Sequence, residues 1–265
     1  MSANFNVSPS PHIRDRVKSS NIMLFVVIAL LPATFFGIYN FRHENAWLLV
    51  LVTTASAVLA EYIYEKLMHK PVTIQDFSAV VTGLLLALNL PPTLPLWMGA
   101  LGSVFAIIVV KQLFGGLGYN FANPALVGRI VLFLGFTSRM TAYVYPDMSV
   151  DALASATPLN AAVDLHSVSF VDMLLGIHGG MMGETCVIAI LLGLAYLLFT
   201  HTIEFTIPAS IVGTMYVLTL LATRDPYIAL LDCMSGGLLF GAVFMATDYV
   251  TSPFTTKGKL FYGVF

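Results

Sequence analysis

Long apolar runs constrain the fold of this chain more than any other feature of its sequence. A helix that crosses the hydrocarbon of a bilayer needs about 20 residues. Charged residues make up 10% of the chain, whereas about one quarter of a soluble globular protein is charged. The sequence therefore predicts an all-α polytopic membrane protein, with no sign of a nucleic-acid partner. The apolar runs lie near 21–39, 46–65, 77–96, 97–114, 121–138, 185–200, 205–222 and 227–247, with a further one beginning near Leu260.

The basic residues predict the orientation of the chain in the membrane. With a cytoplasmic amino terminus, the inner side carries most of the basic residues outside the spans, as the positive-inside rule requires. The same orientation places the loop that follows Arg139 on the outer side, provided that the glycine-rich stretch 170–183 does not cross. We expect a bacterial cytoplasmic (inner) membrane protein. The inner set is Arg14, Arg16, Lys18, Lys66, Lys70, Lys111, Lys257 and Lys259, and the outer set is Arg42, Arg139 and Arg224.

A weak internal repeat predicts the architecture of the bundle. Residues 83–95 align without a gap to residues 241–253, and the alignment matches Gly83 with Gly241, Thr93 with Thr251 and Pro95 with Pro253. The two copies run in opposite directions across the membrane, which is typical of inverted-repeat transport folds with broken helices. A chance match of proline kinks is the alternative. We therefore expect a urea-channel-like helical bundle.

Four segments follow from this organisation. We expect a cytoplasmic segment at 1–20, a first helix bundle at 21–138, an outer loop at 139–183 and a second repeat at 184–265. The second repeat is expected to continue beyond Phe265 with one or more terminal helices.

One polar loop within the outer segment carries a possible attachment sequence. Residues 151–159 read Asp-Ala-Leu-Ala-Ser-Ala-Thr-Pro-Leu, and small neighbours with a following proline leave the Thr157 hydroxyl on extended, accessible chain. The segment resembles the flavinylation sequence of the NqrB and RnfD family, Asp-x-x-Ser/Thr-Gly-Ala-Thr. The resemblance implies that Thr157 carries FMN through a phosphoester, with Asp151, Ser155 and Ala156 as its recognition residues. Ala154 and Ser155 depart from the family pattern.

The resemblance to RnfD, a membrane subunit of the Rnf complex, extends over nearly the whole chain. It implies a flavoprotein electron relay in a complex that passes electrons between ferredoxin and NAD and translocates sodium ions or protons. The implied partners are the other Rnf membrane, flavin and iron-sulfur subunits, a flavin transferase and membrane lipid. The matching segments are Ser10–Arg14, Pro71–Ile74, Ser78–Gly83, Leu88–Thr93, Gly102–Ala106, Lys111–Gly118, Asn123–Ala125, Met245–Asp248 and Thr251–Pro253.

The chain contains no dinucleotide-binding glycine sequence, no Walker sequence and no cysteine-rich cluster box. Ferredoxin and nicotinamide are therefore expected to be handled by partners, and the isolated subunit is expected to be inactive. We predict neither a catalytic residue nor a metal ligand within it.

A glycine-rich stretch offers a second cofactor position. Gly115, Gly116, Asn120 and Asn123 would let backbone approach an isoalloxazine ring, or a second, non-covalent flavin such as riboflavin, which the resemblance implies. The alternative is that these residues only end one helix and begin the next, with Pro124 in the first turn.

Four acidic residues at or near membrane depth are candidates for ion coupling: Asp248, Glu184, Glu61 and Asp76. An ionisable group in hydrocarbon is costly and is usually functional. A structural alternative exists for Glu184 and Asp76, because a carboxylate in the first turn stabilises a helix dipole. Glu61 is expected to pair with a lysine or arginine of a neighbour, and Arg129 with a carboxylate.

Two other functions remain open at this point. A membrane channel or carrier for a small solute uses the same inverted-repeat fold, and fold alone does not decide function. NqrB, the corresponding subunit of an NADH:quinone oxidoreductase, shares the family, although it carries a longer amino-terminal segment. The Thr157 loop discriminates against the channel, which has no use for it.

Overall fold

The computed structural model describes residues 18–144 and 169–265, and these residues form helices, turns and irregular segments without a strand. The residues of the predicted attachment sequence lie outside the described residues. The helices are α1 (Ser19–Asn40), α2 (Ala46–Leu67), α3 (Ser78–Leu88), α4 (Leu96–Phe105), α5 (Pro124–Gly135), α6 (Thr137–Met140), α7 (Phe170–Leu175), α8 (Val187–Phe199), α9 (Thr206–Thr223), α10 (Pro226–Met234), α11 (Leu238–Phe240) and α12 (Thr256–Val264).

Three of these helices, α1, α2 and α9, are long and apolar enough to cross a membrane without interruption. A fourth candidate is the pair formed by α10 and the segment Leu238–Met245, which is bent by 62°. Shorter apolar helices surround them, including α3, α5 and α8. The fold is therefore that of an all-α, multi-pass membrane protein, as the apolar runs predict.

The expected span at 77–96 is helical only as far as Leu88. Pro91 and Pro92 explain this end, because a proline lacks the backbone N–H and restricts the residue before it. The backbone oxygens freed at the break are used by a distant segment: Leu88 O accepts from Gly183 N at 2.8 Å, and Leu90 O accepts from Met182 N at 3.4 Å. The break is thereby satisfied inside the protein, as it must be at membrane depth.

The donor segment, 176–186, is itself irregular. It follows the six-residue helix α7, begins at Gly176 in the left-handed region (φ 80°), and contains no regular helix. All residues from His178 to Val187 are buried. The chain here enters the bundle as irregular backbone surrounded by protein, which agrees with the expectation that 170–183 does not form a full span.

Close approach between helices depends on small residues. A Cβ on Gly83 of α3 would lie 2.7 Å from Thr54 Cα, and a Cβ on Gly99 of α4 would lie 2.6 Å from Thr53 Oγ1. In membranes, helix association relies on such tight packing, because apolar surface gains little by leaving lipid. These contacts bring α3 and α4 against α2.

Two π-helical segments interrupt the regular helices. One, Ala106–Gln112, extends α4, and the other, Gly241–Met245, extends α11. Such segments occur often at functional sites. The first segment of the predicted repeat, 83–95, begins inside α3 and ends directly before α4. The second segment, 241–253, begins with the π-helical turn and ends shortly before α12. The inverted symmetry and the four-segment division themselves stay predictions.

Candidate functional site

A buried ion pair lies between α2 and the first π-helical segment. Lys111 Nζ contacts Glu61 Oε1 at 2.5 Å and donates to Ser78 Oγ at 2.5 Å. Glu61 is fully buried and Lys111 is 2% exposed. The partner of Glu61 is therefore Lys111 of the same chain and not a basic residue of a neighbour.

Hydrogen bonds extend this ion pair in two directions. Gln112 Nε2 donates to Glu61 Oε1 at 2.7 Å and to Glu65 Oε1 at 3.3 Å. On the other side, Ser78 donates through N at 2.8 Å and through Oγ at 2.5 Å to Asp76 Oδ1. We call Glu61, Glu65, Asp76, Ser78, Lys111 and Gln112 the Glu61 cluster. It brings two of the four predicted coupling carboxylates together.

Asp76 has the structural role that the sequence allows for it. It accepts from the first backbone N–H of α3, that of Ser78, and so satisfies one of the unpaired donors at the helix start. Its bond to the Ser78 hydroxyl also joins it to the Glu61 cluster, so capping and a role in coupling are compatible.

Lys111 lies elsewhere than the sequence predicts. The prediction counts it among the inner-side charges, whereas the structure buries its ammonium group inside the bundle. The pairing with Glu61 offsets the cost of burying the charge. The sequence contains a signal of this burial. Lys111 falls within the apolar run 97–114, and a lysine inside a membrane span is usually paired with another group.

Asp248 lies after the last π-helical turn, outside the spanning helices. Burial raises the pKa of its carboxyl, while hydrogen bonds from Val250 N and from the Thr251 and Asn120 side chains lower it to a smaller extent. A cavity of about 60 Å³ is lined by Asp248 and Asn120 together with Ser78 and Lys111. The structure therefore places Asp248 beside the Glu61 cluster.

Glu184 occupies a separate position. The sequence predicts that it lies at a helix start, but α8 begins only at Val187, so the helix-dipole explanation is wrong. Its Oε1 instead accepts from Met181 N at 2.9 Å within the irregular segment. The buried carboxylate also interacts electrostatically with Arg129 and His178.

Arg129 and Gly237 adjoin Glu184, and Asn89 contacts Arg129. Arg129 Nη1 donates to Asn89 Oδ1 at 3.0 Å. A Cβ built on Gly237 would lie 3.2 Å from Glu184 Oε2 and 3.6 Å from Arg129 Nη1. We call Asn89, Arg129, Glu184 and Gly237 the Arg129 junction. Asn89 and Gly237 are missed by sequence reasoning, because their significance depends on which breaks in the chain meet.

The predicted attachment residues Asp151, Ser155, Ala156 and Thr157 lie outside the described residues. The last described side chains before them are close to the Arg129 junction. Burial raises the pKa of Tyr143, the Glu184 carboxylate raises it further, and Arg129 lowers it. The carbonyl of Ala142 accepts from Thr93 Oγ1 at 3.5 Å.

The predicted second flavin position is built from a helix end and a helix start. Gly115 and Gly116 have φ values of 123° and 96°, and Gly116 N donates to Lys111 O at 3.0 Å, which ends the π-helical segment. Asn123 caps α5 through Oδ1, which accepts from Ala125 N at 3.0 Å. The structure thus shows the alternative role that the sequence leaves open for these residues, and a flavin contact stays a prediction.

Asn120 differs from these capping residues. Its side chain donates to Ala122 O at 3.0 Å and hydrogen-bonds Asp248. It therefore connects the glycine-rich stretch to Asp248, a candidate for ion coupling.

Sequence comparison places the chain among membrane oxidoreductase subunits. It is 43% identical to the subunit designated D in the Na(+)-translocating ferredoxin:NAD(+) oxidoreductase complex of Acetobacterium woodii, over 98% of this chain and 82% of that protein. It is 39% identical to the subunit designated D in the proton-translocating ferredoxin:NAD(+) oxidoreductase complex of Clostridium ljungdahlii, over 98% and 83%.

A relative from the quinone-reducing branch is more distant. The chain is 32% identical to the subunit designated B in the Na(+)-translocating NADH-quinone reductase of Pseudomonas paraeruginosa, over 95% of this chain and 76% of that protein. A family model described as NQR2, RnfD, RnfE matches residues 6–265. These matches confirm the resemblance, and the chain belongs to the NQR2, RnfD, RnfE family.

Proposed function

We propose that this chain is the flavin-carrying electron-relay subunit of an ion-translocating ferredoxin:NAD oxidoreductase. The observation that carries the proposal is the sequence from Asp151 to Thr157, which keeps the acidic first residue, the alanine and the acceptor threonine of the flavinylation pattern. Membership of the family and the names of the Acetobacterium and Clostridium relatives support it.

FMN joined to Thr157 would supply a carrier that accepts and donates electrons, and burial and hydrogen bonds tune the potential of such a carrier. Asp151, Ser155 and Ala156 complete the sequence that a flavin transferase would recognise. The predicted outer location of this loop agrees with a transferase that works outside the cytoplasm.

The coupling role belongs to Asp248, Glu61, Asp76 and Glu184. The first three lie in or beside the Glu61 cluster, and the small cavity connects Asp248 to Ser78 and Lys111. Glu184 lies instead beside the breaks in α3 and in the bent pair. In the predicted orientation, Asp248 faces the inner side and Glu184 the outer side, as two ends of one path would.

A second flavin, if bound, has space beside the glycine-rich stretch. A cavity of about 530 Å³ is lined by Phe121, Asn123 and Tyr262 among others. Small-molecule sites commonly have volumes of roughly 300–1,000 Å³. Asn123, Thr251 and Tyr262 would supply polar groups to such a ligand, whereas Asn120 lines the small cavity beside Asp248.

The proposal is tested by intact mass. The chain, produced with its transferase and denatured, is expected to exceed its sequence mass by one FMN less water, and Thr157→Ala is expected to remove the whole increment. Thr141→Ala is the matched control, because it removes an exposed hydroxyl that lies before the attachment sequence, and it should keep the flavin. An unmodified wild-type chain would contradict the proposal.

The same preparation tests whether the protein acts within a complex. Purified alone, the chain should not reduce NAD with ferredoxin, and gentle detergent extraction should recover it with other membrane and iron-sulfur subunits. Activity of the isolated chain would contradict this part.

Two alternatives remain distinguishable. A small-solute channel would show no in-gel flavin fluorescence, whereas an NqrB-type protein would carry flavin within a complex that reduces quinone with NADH. The electron acceptor of the purified complex separates the latter from the proposal.

A further inference from the structure

Three breaks in the helical backbone come close to one cationic side chain. Asn89 directly follows α3, Gly237 lies between α10 and α11, and Glu184 belongs to the irregular segment 176–186. Arg129, on the regular helix α5, contacts or adjoins all of them. Its guanidinium therefore lies where three interruptions of the fold meet.

A junction of this composition is suited to a cation. Broken helices expose carbonyl oxygens, and carbonyls with a carboxylate are the ligands that hard cations prefer. Glu184 is 6% exposed, and the neighbouring Thr185 hydroxyl is buried without a hydrogen-bond partner in the described parts of the chain. Without Arg129, the buried Glu184 carboxylate and the Thr185 hydroxyl would lie together inside the bundle with no cation beside them.

Arg129 changes the electrostatics of this place. An arginine stays protonated at all physiological pH values, so its charge cannot be removed by proton release. A fixed positive charge repels a second cation more strongly inside a protein than in water, because the effective dielectric constant is lower there. A fixed guanidinium can exclude protons and other cations from a membrane path in this way.

Few residues separate the Arg129 junction from a neighbouring cavity. Gly237 and Met245 line the cavity of about 530 Å³. Met245 Sδ lies 3.4 Å from Asn89 Nδ2, and Asn89 in turn holds Arg129. Tyr143, which precedes the predicted attachment loop, interacts with the same arginine. Met245, which contacts Asn89, and Gly237, which adjoins Arg129, thus form part of the wall of the cavity.

We propose that Arg129 seals this protein against passive cation leak. Its guanidinium occupies the place beside Glu184 that a permeating cation would take, and Asn89 fixes it there. This role is independent of flavin attachment, because it concerns the membrane barrier when no electrons flow.

The test measures passive Na⁺ and H⁺ entry into phosphatidylcholine vesicles that contain the purified complex, without an electron donor. Arg129→Gln is expected to speed Na⁺ entry roughly tenfold, since one tenfold step corresponds to only about 1.4 kcal/mol of barrier. Arg129→Lys keeps the charge and should stay tight. Arg139→Gln removes an exposed arginine and is the matched control.

An assembled Arg129→Gln complex as tight as the wild type would overturn the proposal, as would equal leak in Arg139→Gln. If Arg129→Gln fails to assemble, Asn89→Ala decides, because it removes only the group that holds the guanidinium. Asn89→Ala vesicles are then expected to leak severalfold faster than wild type, and tight vesicles would refute the idea. FMN content of each variant is measured separately, so failure of the flavin proposal shows independently.

Discussion

The Glu61 cluster and the Arg129 junction both hold charges at membrane depth, but they satisfy them in different ways. Glu61 and Lys111 lie on helical backbone and contact each other directly at 2.5 Å. In the junction, Arg129 donates to an amide oxygen and Glu184 accepts from a backbone N–H. The cluster therefore depends on side-chain pairs, whereas the junction depends on broken backbone.

This difference has an energetic consequence. Removing one member of a directly paired, buried couple leaves the other charge uncompensated, which is strongly destabilising. A carboxylate held by a backbone donor keeps that donor when it becomes an amide. Side-chain substitutions should therefore damage the cluster more than the junction.

The largest effect is expected for Lys111→Met. It leaves Glu61 buried without its cation and should cost about 3–5 kcal/mol of unfolding free energy. The double variant Glu61→Leu with Lys111→Met removes both charges and should recover much of the loss. Thermal unfolding in detergent measures the stability of the single and the double variant. If Lys111→Met is as stable as the wild type, the ion pair is not what stabilises the cluster.

A smaller effect is expected for Asn123→Ala, which removes the N-cap of α5. This cap lies between the Glu61 cluster and the Arg129 junction. Loss of an N-cap costs about 1 kcal/mol. If Asn123 only caps, flavin content will be unchanged while the melting temperature falls, and Asn123→Ser should restore stability. Loss of a non-covalent flavin with unchanged stability would instead assign Asn123 to the second cofactor.

Glu184→Gln should change stability less than Lys111→Met does. The amide oxygen can still accept from Met181 N, and the loss should stay within about 1 kcal/mol, the usual net value of one hydrogen bond. The comparison uses the same detergent melting assay. A loss as large as that of Lys111→Met would mean that the junction also depends on a direct side-chain pair.

The smallest effect on stability is expected for Asp248→Asn, with a larger one on ion dependence. The raised carboxyl pKa in the folded state favours the neutral form, so its stabilising contribution is present below the unfolded pKa and is lost as pH rises through the folded pKa. The Asn variant should therefore be relatively more stable than wild type near neutral pH than in acid.

The functional measurement for Asp248→Asn is electron transfer against pH and Na⁺ concentration in the purified complex. FMN on Thr157 and assembly should be kept, while the dependence on Na⁺ or pH weakens. Unchanged cation transport per electron, or failure to assemble, would favour a purely structural carboxylate.

Much of the fold could be predicted because it is encoded locally. Bilayer thickness sets the length of an apolar run, and Pro91 and Pro92 end α3 through their own covalent geometry. The irregular character of 176–186 likewise follows from its glycines. The position of Lys111 in an apolar run is a signal of its burial, but its partner could not be predicted, because the sequence does not show which carboxylate on another helix lies beside it.

By itself the sequence determined that this is a polytopic helical membrane protein of the NQR2, RnfD, RnfE family and that a helix ends before Pro91, and it predicts which loop carries an attachment sequence. Only the tertiary structure decided that Lys111 pairs with Glu61, fifty positions away, and that three separate breaks meet at Arg129. The reason is physical: helix periodicity and proline geometry act over a few residues, whereas partners between helices are chosen by packing across the whole bundle.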